Sequence, residues 1–179
     1  FAPPATWATG VAELGYGDGD ERTVIPFGPS ATKKCITQFF HHTFTVADPM
    51  LYDSLVLQLL RDDGAAVYLN GELLKRDNLP SVFGINTVAS STVEDSDEDR
   101  FFVYTGLPNK LKPGPNTLAV EVHQRSASNP DLGINLLGTK VWQLGHQQAT
   151  GERDSTILLA TVALGGDYAR VRTDARVVG

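Results

Sequence analysis

Apolar and polar residues alternate along much of this chain with the two-residue period of a β-strand. Within 117–124, Leu118, Val120 and Val122 share one face, while Glu121 and His123 share the other. Within 38–46, Phe40, His42, Phe44 and Val46 have one parity, so one of the adjacent histidines, His41 or His42, is expected to point inward or sit near an edge. Runs rich in Val, Leu, Phe, Tyr and Thr predict strands over 23–27, 38–46, 54–61, 65–70, 101–105, 117–124 and 134–144. Gly, Pro, Asn and Asp punctuate them. The dipeptide Asn70-Gly71, flanked by such runs, is a strong hairpin signal. No segment carries the 3.6-residue period of a long amphipathic helix. Many short strands separated by turns predict an all-β sandwich or barrel.

Two regions break the pattern. Residues 77–99 form a long connection of small polar residues that ends in the acidic run Glu94-Asp95-Ser96-Asp97-Glu98-Asp99. Connections of this length inside a compact domain are usually functional or mobile. Further on, 147–154 reads as a polar linker, and 155–164 and 168–178 read as two more strands around Gly165-Gly166-Asp167. The expected division is a Pro-rich linker at 1–6, a module at 7–144 and an extension at 145–179. That extension is either a β-hairpin packed on the module or the start of a following domain of a longer parent protein.

Composition narrows the function classes. A chain of 179 residues that is 41% apolar can build one sandwich-sized core. Its net charge of −6 argues against nucleic acid, whose binders present a basic face, and against an anionic membrane surface. No apolar run approaches the roughly 20 residues of a membrane-spanning helix, so no membrane insertion is expected. The single cysteine, Cys35, excludes an internal disulfide and reads as a small buried hydrophobe.

The remaining candidate chemistry lies in carboxylates at turns. In Leu14-Gly15-Tyr16-Gly17-Asp18-Gly19-Asp20-Glu21, three glycines permit backbone conformations closed to other residues and present Asp18, Asp20 and Glu21 on a loop. Either these acids bond their own backbone in a turn, or their oxygens hold a hard cation such as calcium. In Arg61-Asp62-Asp63-Gly64, two adjacent carboxylates follow an apolar run. They either tolerate turn geometry or form a metal- or hydroxyl-binding element, because paired charges repel unless a cation, donors or water compensates them. Asp95, Asp97 and Asp99 mimic the opening of an EF-hand loop, but Arg100 and Gly106 occupy positions that need Gly and Glu, so a solvated acidic loop is expected. His41, His42, His123 and His146 have no zinc-site spacing, and no Gly-x-Ser-x-Gly elbow or triad pattern occurs. Catalysis therefore has no positive sequence support.

An ordered series of motifs resembles galactose-binding-like jelly-roll modules of large secreted proteins, the type found beside metallophosphoesterase, lamin-tail or spore-coat-kinase-like domains. The series begins with Trp7-Ala8-Thr9-Gly10 and Ala12-Glu13-Leu14-Gly15-Tyr16-Gly17-Asp18-Gly19-Asp20-Glu21. It continues through Phe39-Phe40, Phe44-Thr45-Val46, Asp62-Asp63-Gly64, Asn70-Gly71 and Arg76-Asp77-Asn78-Leu79-Pro80. It closes with Gly114-Pro115-Asn116-Thr117-Leu118-Ala119-Val120-Glu121-Val122-His123-Gln124 and Asp131-Leu132, covering about 7–144. Where the family commonly has a basic residue, this chain has His41-His42. More locally, Asp62-Asp63 resembles the Asp-Asp pair that helps hold calcium in PA14-type lectin modules.

The resemblance implies a jelly-roll β-sandwich acting as a non-catalytic carbohydrate-binding or accessory module of an extracellular or cell-surface protein. Calcium is the implied cofactor, with Asp18, Asp20, Asp62 and Asp63 as its ligands. Trp7 and Tyr16 would offer an apolar face to a sugar ring, and Arg76, His123 and Gln124 polar contacts. A glycan or polysaccharide and neighbouring domains of the parent are the expected partners. The rival expectation is a structural or interaction spacer without a small-molecule ligand.

Overall fold

The alternation of apolar residues sorts the chain into two β-sheets packed face to face. The computed structural model describes residues 7–94, 96–142, 156–159, 170–174 and 177–178. Its strands are β1 (Leu14–Tyr16), β2 (Thr23–Val24), β3 (Thr37–Val46), β4 (Tyr52–Arg61), β5 (Gly64–Leu69), β6 (Glu72–Asp77), β7 (Phe102–Pro108), β8 (Gly114–His123), β9 (Leu132–Trp142), β10 (Thr156–Leu159), β11 (Arg170–Asp174) and β12 (Val177–Val178). One sheet has the order β11-β3-β8-β5-β6. In the other, β9 pairs with β4 along one edge and with β1 and then β10 along the other, while β7, β2 and β12 lie outside these. This is an all-β jelly-roll sandwich.

The core follows from strand parity. Phe40, Phe44 and Val46 of β3, Leu118, Val120 and Val122 of β8, and Val67 and Leu69 of β5 form one inner face. Leu55, Leu57 and Leu59 of β4 meet them with Leu132, Ile134 and Leu136 of β9. Each such side chain removed from water stabilises the fold by roughly 1.5–3 kcal/mol. His42 also lies on the inner face, fully buried and stacked on Phe44 at 6.0 Å between centroids. His41 has the opposite parity, yet it is buried too, with the Trp7 ring edge-on to it at 6.2 Å.

The seven strands expected over 23–144 all form, with shifted ends. The 23–27 run is a strand only over Thr23–Val24, because Pro26 has no N–H to donate to a ladder. β1 and β6 were not anticipated, being respectively short and largely polar. β6 is instead specified by its turn: Asn70 at φ 54° and Gly71 at φ 85° reverse the chain and lay β6 antiparallel to β5. In the tail, β10 pairs with β9 and β12, whereas β11 runs parallel to β3, so β10 and β11 belong to different sheets. The expected turn at 165–167 lies outside the described residues. No helix among the described residues is long and apolar enough to cross a membrane.

Candidate metal centre

The Asp62-Asp63 connection is a corner between the two sheets, not a hairpin. Asp62 still belongs to the β4–β9 ladder, its N–H donating to Gly133 O at 3.0 Å. Two residues later Gly64 is opposite His123 in the other sheet. The Asp62–Asp63 peptide is cis. Gly64 admits no side chain, because a Cβ there would stand 2.7 Å from Asn78 O and 3.1 Å from Ala89 Cβ. The corner therefore sends two neighbouring carboxylates into different surroundings.

Asp63 turns inward and is fully buried. One oxygen accepts from Val93 N at 2.8 Å; the other accepts from Arg125 N at 2.6 Å and Asn129 Nδ2 at 3.1 Å. Its carbonyl accepts from Asn78 Nδ2 at 2.9 Å. Asn78, at φ 49°, also bonds the backbone of Ser91 in both directions. One carboxylate thus pins the long 78–101 connection and the 124–131 loop to the end of the sandwich. Asp63 was an expected metal ligand. Its oxygens are instead taken up by N–H donors, which corrects that expectation.

Asp62 is as deeply buried, at 2% exposure, and neither carboxylate oxygen has an N–H or hydroxyl donor among the described residues. It borders a cavity of about 180 Å³ lined by Glu13, Asp18, Asp20, Glu98, Asp99 and Gly133. Carboxylate oxygens of Asp62, Glu98 and Asp131 lie within 4.8 Å of one another, and those of Asp18, Asp20 and Glu21 form a second such group. No lysine or arginine is among the described residues lining the cavity. Burial, then the charge of Asp63 and a shared-proton contact with it, then the same effects from Asp131, push Asp62 up to about 9. Glu13 is raised to about 7 by burial, then by Asp20, Asp99, Asp18 and Glu21. Asp18 rises to about 6, by burial and then by Asp131, Glu21, Asp20 and Asp99.

Separate elements build this cavity. Glu13 precedes β1, and the Glu21 carboxylate accepts from Asp18 N at 3.0 Å and Gly19 N at 3.1 Å, folding the glycine loop so that Asp18 and Asp20 face the site. Gly17 adopts φ 119°, and a Cβ there would meet Asp131 Cα at 2.6 Å, so this loop rests directly on the start of β9. The pinned long connection brings Glu98 and Asp99. Lys34, nearly buried over the Tyr16 ring at 4.9 Å, donates to Asn129 O and Pro130 O and fixes the approach to Asp131.

Of the expected ligands, the structure brings Asp18, Asp20 and Asp62 to one cavity. Glu13 and Glu98 line it with them, and an Asp131 oxygen lies within 4.8 Å of those of Asp62 and Glu98; none of the three is singled out by the sequence. Glu98 lay in the acidic run read as solvated, and Asp131 in a motif read only for fold; only their folded positions separate them from other surface acids. Tyr16, His123 and Gln124, expected to meet a sugar, are interior. The Tyr16 hydroxyl accepts from Gln124 Nε2, Gln124 also donates to Asp131 O at 2.9 Å, and burial raises the tyrosine pKa. His123 Nδ1 donates to Thr87 O at 2.7 Å, and Phe83 packs edge-on against its ring. The long connection has buried the end of β8, which parity alone left exposed. Arg76 and Trp7 lie apart from the carboxylates: Arg76 is paired opposite Ala66, and Trp7 packs beside His41.

No protein-family model matches this chain, and no curated protein is similar to it. Among solved structures it is similar to part of an α-L-rhamnosidase from Streptomyces avermitilis, at 18% identity and TM-score 0.45 over 75% of this chain and 11% of that one. An α-L-rhamnosidase from Aspergillus terreus is similar at 17% identity and TM-score 0.43, over 85% and 17% of the two chains. A Pleurotus ostreatus lectin is similar at 14% identity and TM-score 0.38, over 89% and 45%. The chain thus spans under a fifth of the rhamnosidases and under half of the lectin.

Proposed function

We propose that the chain is a non-catalytic accessory module of a larger extracellular protein, one end of which is completed by calcium and recognises glycan hydroxyls. The observation that carries the cation half of this reading is Asp62: a carboxyl 2% exposed, with no N–H or hydroxyl donor to either oxygen among the described residues, at a cavity lined by five further acids. Ionising Asp62 in this setting is costly, and no donor among the described residues relieves it. The donor set is entirely oxygen, which suits a hard cation over zinc or copper. Asp62, Glu98 and Asp131 would hold it, with Asp18, Asp20 and Glu13 completing the shell. When bound, the ion neutralises these carboxylates and offers positions to ligand hydroxyls. The Asp63 network holds the contributing loops in place beforehand.

Size supports binding over hydrolysis. Glycosidases place two carboxyls on either side of a sugar bond. A cavity of about 180 Å³ is below the roughly 300–1,000 Å³ of small-molecule sites, so it suits an ion and its ligands. The local Asp-Asp resemblance to PA14-type lectins supports the glycan half. The spacer reading draws on the same Asp63 network, which fixes the loops without a ligand.

Calcium titration monitored by thermal unfolding tests the cation half. Saturation at about 100 times Kd adds about 2.7 kcal/mol, a rise on the order of 5–10 °C for a chain of this size. Asp62→Asn should abolish the rise and Asp97→Asn should retain it. An unchanged midpoint in millimolar calcium would refute the metal centre. A glycan array probed with and without calcium tests the other half, and an array without hits favours the spacer.

A further inference from the structure

A second concave surface lies on the outer face of the β11-β3-β8-β5-β6 sheet, away from the acidic cavity. It is a cleft of about 420 Å³ whose lining includes Trp7, Phe39, Tyr68, Lys112, Thr117 and Glu121. Register explains why these residues meet. Phe39 is opposite Glu121, Glu121 is opposite Ala66, and Ala66 is opposite Arg76, forming one row across four strands. The next row runs from His41 through Ala119 to Tyr68. Ala119, flanked across the strands by His41 and Tyr68, contributes a small side chain to the cleft's lining.

The polar groups in this cleft are fixed in place. The Glu121 carboxylate, 22% exposed, lies 3.2 Å from His123 Nε2 and accepts a hydrogen bond from the Tyr68 hydroxyl. Burial, and then Glu121, hold the Tyr68 proton in place and raise its pKa. The cleft therefore combines aromatic surface, an oriented carboxylate acceptor and a lysine ammonium.

We propose that this cleft is a second binding site, independent of the carboxylate cavity, and that it takes a neutral hexopyranose ring. Its volume lies within the range of small-molecule sites, roughly 300–1,000 Å³. The aromatic side chains suit the C–H face of a pyranose, and Glu121 and Lys112 suit its hydroxyls as acceptor and donor. Mixed charge excludes the alternatives. Glu121 repels a uronate or sulfated sugar, while Lys112 repels a cationic ligand. A peptide strand is disfavoured because the backbone groups of these central strands are already paired within the sheet.

The test uses methyl glucoside, methyl galactoside and methyl mannoside, each followed by saturation-transfer NMR in EDTA and in calcium. Tryptophan fluorescence in a Trp142→Phe background isolates Trp7, since the chain has two tryptophans. At least one glycoside should bind equally with and without calcium. Thr117→Trp, which fills the cleft from its open side, and Glu121→Gln should each weaken binding ~10-fold or more. Thermal unfolding verifies that both variants fold, and Phe39→Ala provides an independent lesion. Asp62→Asn should leave this binding intact, so failure of the metal centre and failure of the cleft are told apart. Three results overturn the proposal: no glycoside binding at ~10 mM, binding abolished by EDTA, or binding retained in a folded Thr117→Trp protein.

Discussion

Asp62 and Asp63 share a residue type and a degree of burial, yet their surroundings are opposite. The inward side of the corner gives Asp63 three N–H donors from two loops. The outward side gives Asp62 other carboxylates and, among the described residues, no N–H donor. Burial alone therefore does not tell whether an acid serves the fold or a ligand. The partners decide: a satisfied carboxylate organises its donors, whereas an unsatisfied one raises its own pKa and invites a cation.

The strongest contrast comes from deleting each acid. Asp63→Ala would orphan Val93 N and Arg125 N and release both loops. With bonds to a charged group worth about 1.5–3 kcal/mol each, the loss should be roughly 3–6 kcal/mol in denaturant unfolding, with or without calcium. Asp62→Asn should have a far smaller effect in EDTA at pH 8, because the raised pKa keeps most of that carboxyl protonated and a neutral amide replaces a neutral acid. Equal destabilisation by the two substitutions would erase the distinction. Gly17→Ala should cost an intermediate amount, roughly 1–3 kcal/mol, because it combines a left-handed φ with a backbone clash against Asp131. It should also weaken calcium binding by displacing Asp18.

The pH dependence is smaller and has a definite sign. Asp62, Glu13 and Asp18 have folded pKa values raised to about 9, 7 and 6, above those of an unfolded carboxyl. The folded state therefore binds more protons. These groups favour folding fully below about pH 4, and that contribution is lost as pH rises through 6, 7 and 9. The midpoint in EDTA should fall between pH 5 and pH 8, and calcium should restore much of the loss at pH 8. A midpoint that rises over this interval in EDTA would show that these acids are not clustered in solution. The weakest effect is expected at the surface, where Arg100→Ala removes an exposed pair with Asp97 and should change stability by no more than about 0.5 kcal/mol.

Much of the fold was legible because strand parity is a local property. Leu118, Val120 and Val122 occupy the core face as their spacing predicted, and Asn70-Gly71 makes its turn. The site was legible only in part, because it depends on where loops end up. Asp18, Asp20 and Asp62 could be singled out from turn chemistry. Glu98 could not, since its position depends on the Asn78 and Asp63 anchors of a long connection. His123 shows the converse error: its parity pointed to solvent, but that same connection covers it. No local pattern distinguished Asp62 from Asp63, because the corner that separates them joins two sheets.

A crystal structure of the protein grown with calcium tests the metal centre most directly. A single peak within about 2.3–2.6 Å of Asp62 oxygens, with Glu98 and Asp131 in a shell of six to eight oxygens, is the predicted result. A cavity without such a peak in saturating calcium, or calcium held only by exposed acids elsewhere, would contradict it.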